Sequence, residues 1–175
     1  MGRNYLTTEE CLDLLEQYHT PPHVIRHCQA VAQAAVLLAE ALNEKGSRLD
    51  VPLVQSAALI HDIARTEEHH EIKGAEIARN LGYSQIADII YVHMNYDMKK
   101  EVDQLTEVDM VCFGDRVVKE DHYVGLAERM DYVVQKAKNH PGAEERIRSK
   151  QAETQVLLSK IEEHLGMTID ELMKR

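Results

Sequence analysis

Apolar residues recur every three or four positions through most of the chain. Val24, Val31, Ala34, Leu38 and Leu42 mark the inward face of a long helix, and His27 falls on that face. A following helix gives Val54, Ala57, Ala58, His61 and Ala64 on one side, which places His61 inward and Asp62 at the edge. The pattern repeats in His70, Gly74, Ile77 and Leu81, then in Ile86, Ile89, Ile90 and His93, then in Val108, Val111, Cys112, Asp115 and Val118. Helix starts are signalled by Thr7 with Glu10 and Thr168 with Glu171, each fitting a capping box, by Thr20 before Pro21, and by Asp50 before Val51 and Pro52. Turn chemistry separates the stripes at residues 43–47, 82–84 and 139–142. The reading is an all-α fold, a compact bundle of roughly seven or eight helices.

Composition agrees. Apolar residues make up 44% of the 175 positions, charged residues 29%, and there are only eight Gly and four Pro. With no Trp and one Phe, the core is built from Leu, Ile, Val, Ala and Met, which suits helix-on-helix packing. The length suits one core, so residues 1–175 are expected to form a single domain. A formal net charge of −10 argues against binding polymeric nucleic acid, which needs Lys and Arg to displace counterions. It leaves room for a small phosphorylated ligand, because a bound cation reverses the local potential. Cys11, Cys28 and Cys112 have no paired spacing and read as reduced core thiols. No signal peptide, membrane span or lipidation motif is visible, and a cytoplasmic location is expected.

The chemistry lies in the five ionisable residues that interrupt the stripes: His27, His61, His70, His93 and Asp115. A buried imidazole or carboxylate without a partner costs several kcal/mol, so each needs one. Each can be satisfied separately by a neighbouring backbone group. A shared divalent cation satisfies all of them at once, since imidazole nitrogen and carboxylate oxygen are its natural ligands. Asp62 next to His61 adds a carboxylate to the same helix, available to bridge two ions. The absence of thiolate pairs disfavours a structural zinc ribbon.

At this point His27, the pair His61–Asp62 and a distant Asp115 resemble the H…HD…D signature of HD-domain metal-dependent phosphohydrolases. The context is similar too: Cys28 to Ala32 follows His27, Ala57 to Ile60 leads into the pair, and His70 precedes Gly74 and Ala75 by the family's spacing. The resemblance covers a motif-bearing core of about residues 20–135, with C-terminal helices of about 143–175 packing on it. It implies that His27, His61, Asp62 and Asp115 bind one metal, and that His70 and His93 hold a second ion or face the substrate phosphate. The cofactor is then one or two divalent ions, drawn from Fe, Mn, Co, Ni and Zn, with Mg also allowed. The stretch His61-Asp62-Ile63-Ala64-Arg65 departs from the common His-Asp-Ile-Gly-Lys form, and the longer motif of the cyclic-dinucleotide subgroup is not present.

The activity expected from this set is hydrolysis of a small phosphate ester, a nucleotide for preference, by a metal-activated water. Asp62 and Arg65 are the catalytic candidates, and Arg65 and Lys73 the candidates for neutralising the phosphoryl group. Glu67 or Glu68 is a candidate general acid or base, although an acidic loop is ordinarily solvated. His23 and His69 read as rim or surface residues, and Arg116 and Arg129 as salt-bridge partners. Two other readings compete: a regulatory module that binds a nucleotide without turning it over, and a di-iron oxygenase of the kind found among HD-fold enzymes. The stripe Ile147, Gln151, Thr154, Leu158, Ile161 and Leu165 either covers the bundle or offers a homodimer face.

Overall fold

The structure is a computed structural model that describes residues 2–175. It is all-α, with nine α-helices among the described residues and one small hairpin. The first helix, α1 (Thr8–Gln17), begins at the expected capping box of Thr7 and Glu10. The long α2 (Pro22–Glu44) buries Val24, Val31, Ala34, Leu38 and Leu42 as the periodicity requires. Thr20 does not cap it: Pro21 is the N-cap, and the Thr20 hydroxyl donates instead to the Ile63 carbonyl at 2.9 Å.

The central helix is α3 (Val51–Ile60), started by Asp50, whose carboxylate accepts from the Leu53 amide at 3.1 Å. It is apolar on nearly every side and packs against α1 and α2 and, later in the chain, against two further helices. It ends earlier than expected. His61 is the C-cap, and the next residues descend in tight three-residue turns, Ile63 amide to Ile60 carbonyl, Arg65 to Asp62 and Glu67 to Ala64. Of the carbonyls in the last turn of α3, Ile60 accepts from the Ile63 amide and Ala58 from the His61 ring, while the Thr20 hydroxyl serves Ile63 just beyond the helix. His61 and Asp62 are therefore both buried, rather than one inward and one at an edge.

An α-helical hairpin follows, α4 (His70–Asn80) and α5 (Ser84–Val92), whose close approach uses Gly74. A Cβ at Gly74 would meet Ile90 Cγ2 at 3.1 Å and Ile63 Cγ2 at 3.4 Å. Leu81 departs from its expected inward place: it caps α4 and is 44% exposed. After α5 the chain tightens into a 3-10 turn, His93–Asn95, which carries His93 into the interior.

The next helix, α6 (Glu107–Val117), packs on α2 and α3. It runs directly into the hairpin of β1 (Val118–Lys119) and β2 (His122–Tyr123), joined through Glu120 and Asp121. Then come α7 (Leu126–Lys136), α8 (Ala143–Leu165) and the short α9 (Ile169–Leu172), whose start is the expected Thr168–Glu171 capping box. The α8 stripe is turned inward: Thr154, Leu158, Ile161 and Leu165 are buried against the rest of the chain. No helix is long and apolar enough to cross a membrane.

Candidate metal centre

Four imidazoles and two carboxylates converge where α2, the end of α3, α4, the turn after α5 and α6 meet. The rings form a continuous run, with centroids 5.6 Å apart for His27 and His61, 5.2 Å for His61 and His93, and 5.4 Å for His70 and His93. His61, Asp62, His70 and His93 are buried, while His27 and Asp115 are partly open to a cavity.

Backbone carbonyls fix three of the rings. His61 Nδ1 donates to Ala58 O at 2.7 Å, His93 Nδ1 to Ile90 O at 2.6 Å, and His27 Nδ1 to Glu120 O at 2.7 Å. A neutral imidazole that donates through Nδ1 presents a bare lone pair at Nε2, the form that ligates metals. Nε2 of His61, His70 and His93 is buried and has no hydrogen-bond partner. His27 makes the same point differently: its Nε2 lies 3.0 Å from Asp115 Oδ1, so in the neutral ring two acceptors face each other unless a proton or cation lies near them.

Asp62 divides the group. Its Oδ2 lies 3.6 Å from His61 Nε2 and 4.0 Å from His27 Nε2, while its Oδ1 lies 3.3 Å from His70 Nε2 and 3.5 Å from His93 Nε2. Asp115 Oδ1 closes the first set at 3.7 Å from His61 Nε2. Ligand atoms each about 2.1 Å from one ion sit roughly 3 to 3.5 Å apart at near-tetrahedral or octahedral angles, so these spacings fit a divalent cation with little adjustment. Burial pushes the Asp62 carboxyl up, but the charge of His61 and the neighbouring His70 and His93 outweigh it and hold Asp62 well below the ordinary range. Asp115 is likewise held well below by His27 and His61 against its own burial. The reciprocal effect appears in His61, where burial lowers the imidazole but Asp62 raises it well above its ordinary value.

Two guanidinium groups flank the carboxylates. Arg65 Nε is 3.7 Å from Asp62 Oδ2 at the mouth of the site, with its side chain 52% exposed. Arg129, on α7, donates through Nε to the Asp115 carbonyl at 3.1 Å and lies 3.9 Å from Asp115 Oδ1. The expected salt-bridge role of Arg129 thus puts it at the centre itself. Lys73 is elsewhere: it pairs with Glu67 at 2.8 Å and does not line the cavity, which leaves the expected phosphate contact without support. Glu67 is the partner in that pair, and Glu68 is 91% exposed beside His69, so neither reaches the site. His23 does line the cavity rim. The cavity has a volume of about 740 Å³, and much of its wall comes from α7 and α8.

Comparison with known proteins agrees with this geometry. The HD domain matches residues 24–136, well over half of the chain and all six convergent side chains. The chain belongs to the HD-domain family. Members of this family are in general metal-dependent phosphohydrolases, and their sites bind divalent metals. An uncharacterized protein of Methanocaldococcus jannaschii is 38% identical over 97 residues, covering 53% of this chain and 57% of that one. A tRNA (cytidine(56)-2′-O)-methyltransferase of Thermoplasma volcanium is 34% identical over 52% of this chain and 27% of its own length. A ribonuclease Y of Salinispora arenicola is 32% identical over 54% of this chain and 16% of its own. The chain therefore matches a segment of each relative, not the whole. No solved structure matches it with significance.

Proposed function

We propose that the protein hydrolyses a small phosphate ester, a nucleotide for preference, at the cluster built around Asp62. The observation that carries this reading is the set of three buried Nε2 atoms, on His61, His70 and His93, that no protein group satisfies and that converge with two carboxylates. His27, His61, Asp62 and Asp115 would hold one ion, and His70, His93 and the other oxygen of Asp62 a second. When bound, such ions lower the pKa of water and polarise a phosphoryl oxygen.

The remaining work falls to the chain. The carbonyls of Ala58, Ile90 and Glu120 hold three imidazoles in the ligating tautomer. Asp62, kept ionised, presents one oxygen to each half of the cluster. Arg65 and Arg129 stand beside the two carboxylates, where planar forks match the oxygens of a phosphate and offset charge that builds there during displacement. A nucleotide is favoured because the cavity far exceeds one phosphate and combines apolar lining with Tyr132.

The test is a screen of mononucleotides, cyclic nucleotides and simple phosphomonoesters with Mn, Fe, Co, Ni, Zn and Mg added separately, beside metal analysis of the purified chain. Turnover with stoichiometric metal is expected, and Asp62→Ala should lose both while its helical circular dichroism survives. Full metal occupancy and full turnover in that variant would falsify the reading. Oxygen uptake without phosphate release would replace hydrolysis with an oxidative reaction.

A further inference from the structure

The α6–α8 wall of the cavity carries two positive charges that the protein leaves unbalanced. Arg116 donates to Thr154 Oγ1 at 2.8 Å and to the Tyr96 carbonyl. Lys150 Nζ lies 3.3 Å from the Met94 carbonyl and 3.5 Å from Asn95 Oδ1. Every one of these acceptors is neutral, and neither cation forms an ion pair among the described residues. Burial and then Arg116 push the Lys150 ammonium below its ordinary value, with Cys112, Glu153 and Asp97 offsetting this only in part. Thr154 Oγ1, which accepts from Arg116, itself donates to the Lys150 carbonyl at 2.7 Å, which ties the Arg116 guanidinium to α8. Both side chains line the same cavity as Asp62 and His93.

Two like charges held together without a carboxylate, both partly buried in a chain of net charge −10, repel each other, and an anion between them would offset that repulsion. Neutral carbonyls orient the pair but do not cancel its charge. The metal cluster cannot use them, because cations do not ligate cations. This cavity is lined by Asp62 and also by Arg116 and Lys150, and Met94 and Ile147 supply apolar lining beside Lys150.

We propose that Arg116 and Lys150 form a second anion subsite, and that the substrate is a phosphate ester carrying two separate phosphate groups, one at the Asp62 centre and one here. The substrate class rests on the phosphohydrolase reading; the subsite does not. The competing role is a clamp, in which Lys150 merely holds the Met94 carbonyl and so positions His93.

The experiment uses the full chain as purified with its metal. Inorganic phosphate is titrated and its bound stoichiometry read by phosphorus NMR, and kcat/KM is compared for adenosine 5′-monophosphate and adenosine 3′,5′-bisphosphate. The wild-type chain should bind two phosphates, Lys150→Met one with metal content unchanged, and Lys150→Arg two. The bisphosphate should be preferred by about tenfold or more, a preference lost in Lys150→Met and kept in Lys150→Arg. A single phosphate in the wild-type chain, or loss of metal in Lys150→Met, overturns the subsite. Two phosphates with equal kcat/KM for both nucleotides overturn the substrate class. Two phosphates with no turnover of any ester leave the subsite standing and remove the phosphohydrolase reading.

Discussion

Replacing Gly114 by Ala sets two effects of opposite sign against each other. An unhindered Gly→Ala change inside a helix is worth about 1 kcal/mol in favour of the folded state. Gly114 is hindered, because a Cβ there would lie 2.6 Å from the Val31 carbonyl oxygen and 3.0 Å from Val31 Cγ1. The side-chain contact can relax, but the carbonyl belongs to the middle of α2 and is fixed by its helical ladder. Relief requires α2 and α6 to separate by roughly 1 Å to restore ordinary van der Waals spacing. Overpacking of this kind costs about 1–3 kcal/mol, and a backbone obstacle puts it at the upper end. The net loss is then about 1–2 kcal/mol, or a Tm lower by about 2–8 °C for a chain of this size. The same separation moves Asp115, which follows Gly114, away from His27, one turn before Val31, so the 3.0 Å contact opens and metal affinity falls. Calorimetry of the metal-free variant and metal titration measure both. A Tm that rises by a few degrees would refute the argument.

Arg65→Ala should leave metal content unchanged and raise KM for a phosphorylated substrate by about tenfold, a value reduced for the exposure of this side chain; unaltered kinetics would return Arg65 to the surface. In the metal-free chain, the raised His61 imidazole contributes stability that is fully present below its ordinary value of about 6.5 and is lost as pH rises through its higher folded value. Tm should therefore fall across that alkaline window without metal and fall less with it. Metal binding at neutral pH should release a proton, read as a calorimetric heat that changes with buffer ionisation enthalpy; buffer-independent heats would contradict it. Anomalous scattering from crystals grown with Mn should show two peaks about 3.5 to 4 Å apart flanking Asp62. A single peak at saturating metal, with His70 and His93 unbound, would assign those imidazoles to the substrate.

The convergent residues were legible because helical periodicity labels which side chains must turn inward, and His27, His61, His70, His93 and Asp115 each broke an apolar stripe. What periodicity does not carry is contact between distant segments. Thr20 reads as a cap, yet it bonds Ile63, 43 residues away, where α3 has ended. The Glu120 carbonyl that fixes His27 is 93 residues away, in a hairpin whose two-residue strands are too short to show alternation. Glu120 even takes a left-handed φ of 54°, for which its residue type gives no signal. Lys73 lies near the motif in sequence yet pairs with Glu67, while Arg129 and Lys150 reach the cavity from helices beyond it.

The charge of the chain and the charge of its cavity point in opposite directions, and both fit the proposed substrate. Six Lys and Arg side chains line the cavity against four carboxylates, although the whole sequence carries 20 such cations and 30 acids. Two of the four carboxylates, Asp62 and Asp115, are committed to the imidazole cluster, and Asp121 to Arg26 at 3.5 Å. An ion at the cluster adds further positive charge. Exposed acids more than about 8 Å away are largely screened at physiological salt, so they scarcely oppose a small anion once it reaches the mouth. A polymer would lay many phosphates along the exterior of a chain whose net charge is −10, where few cations release its counterions for each acid that repels it. On the proposed function, this distribution of charge favours a compact ligand with one or two phosphates, while the tRNA methyltransferase and ribonuclease Y relatives match about half of this chain.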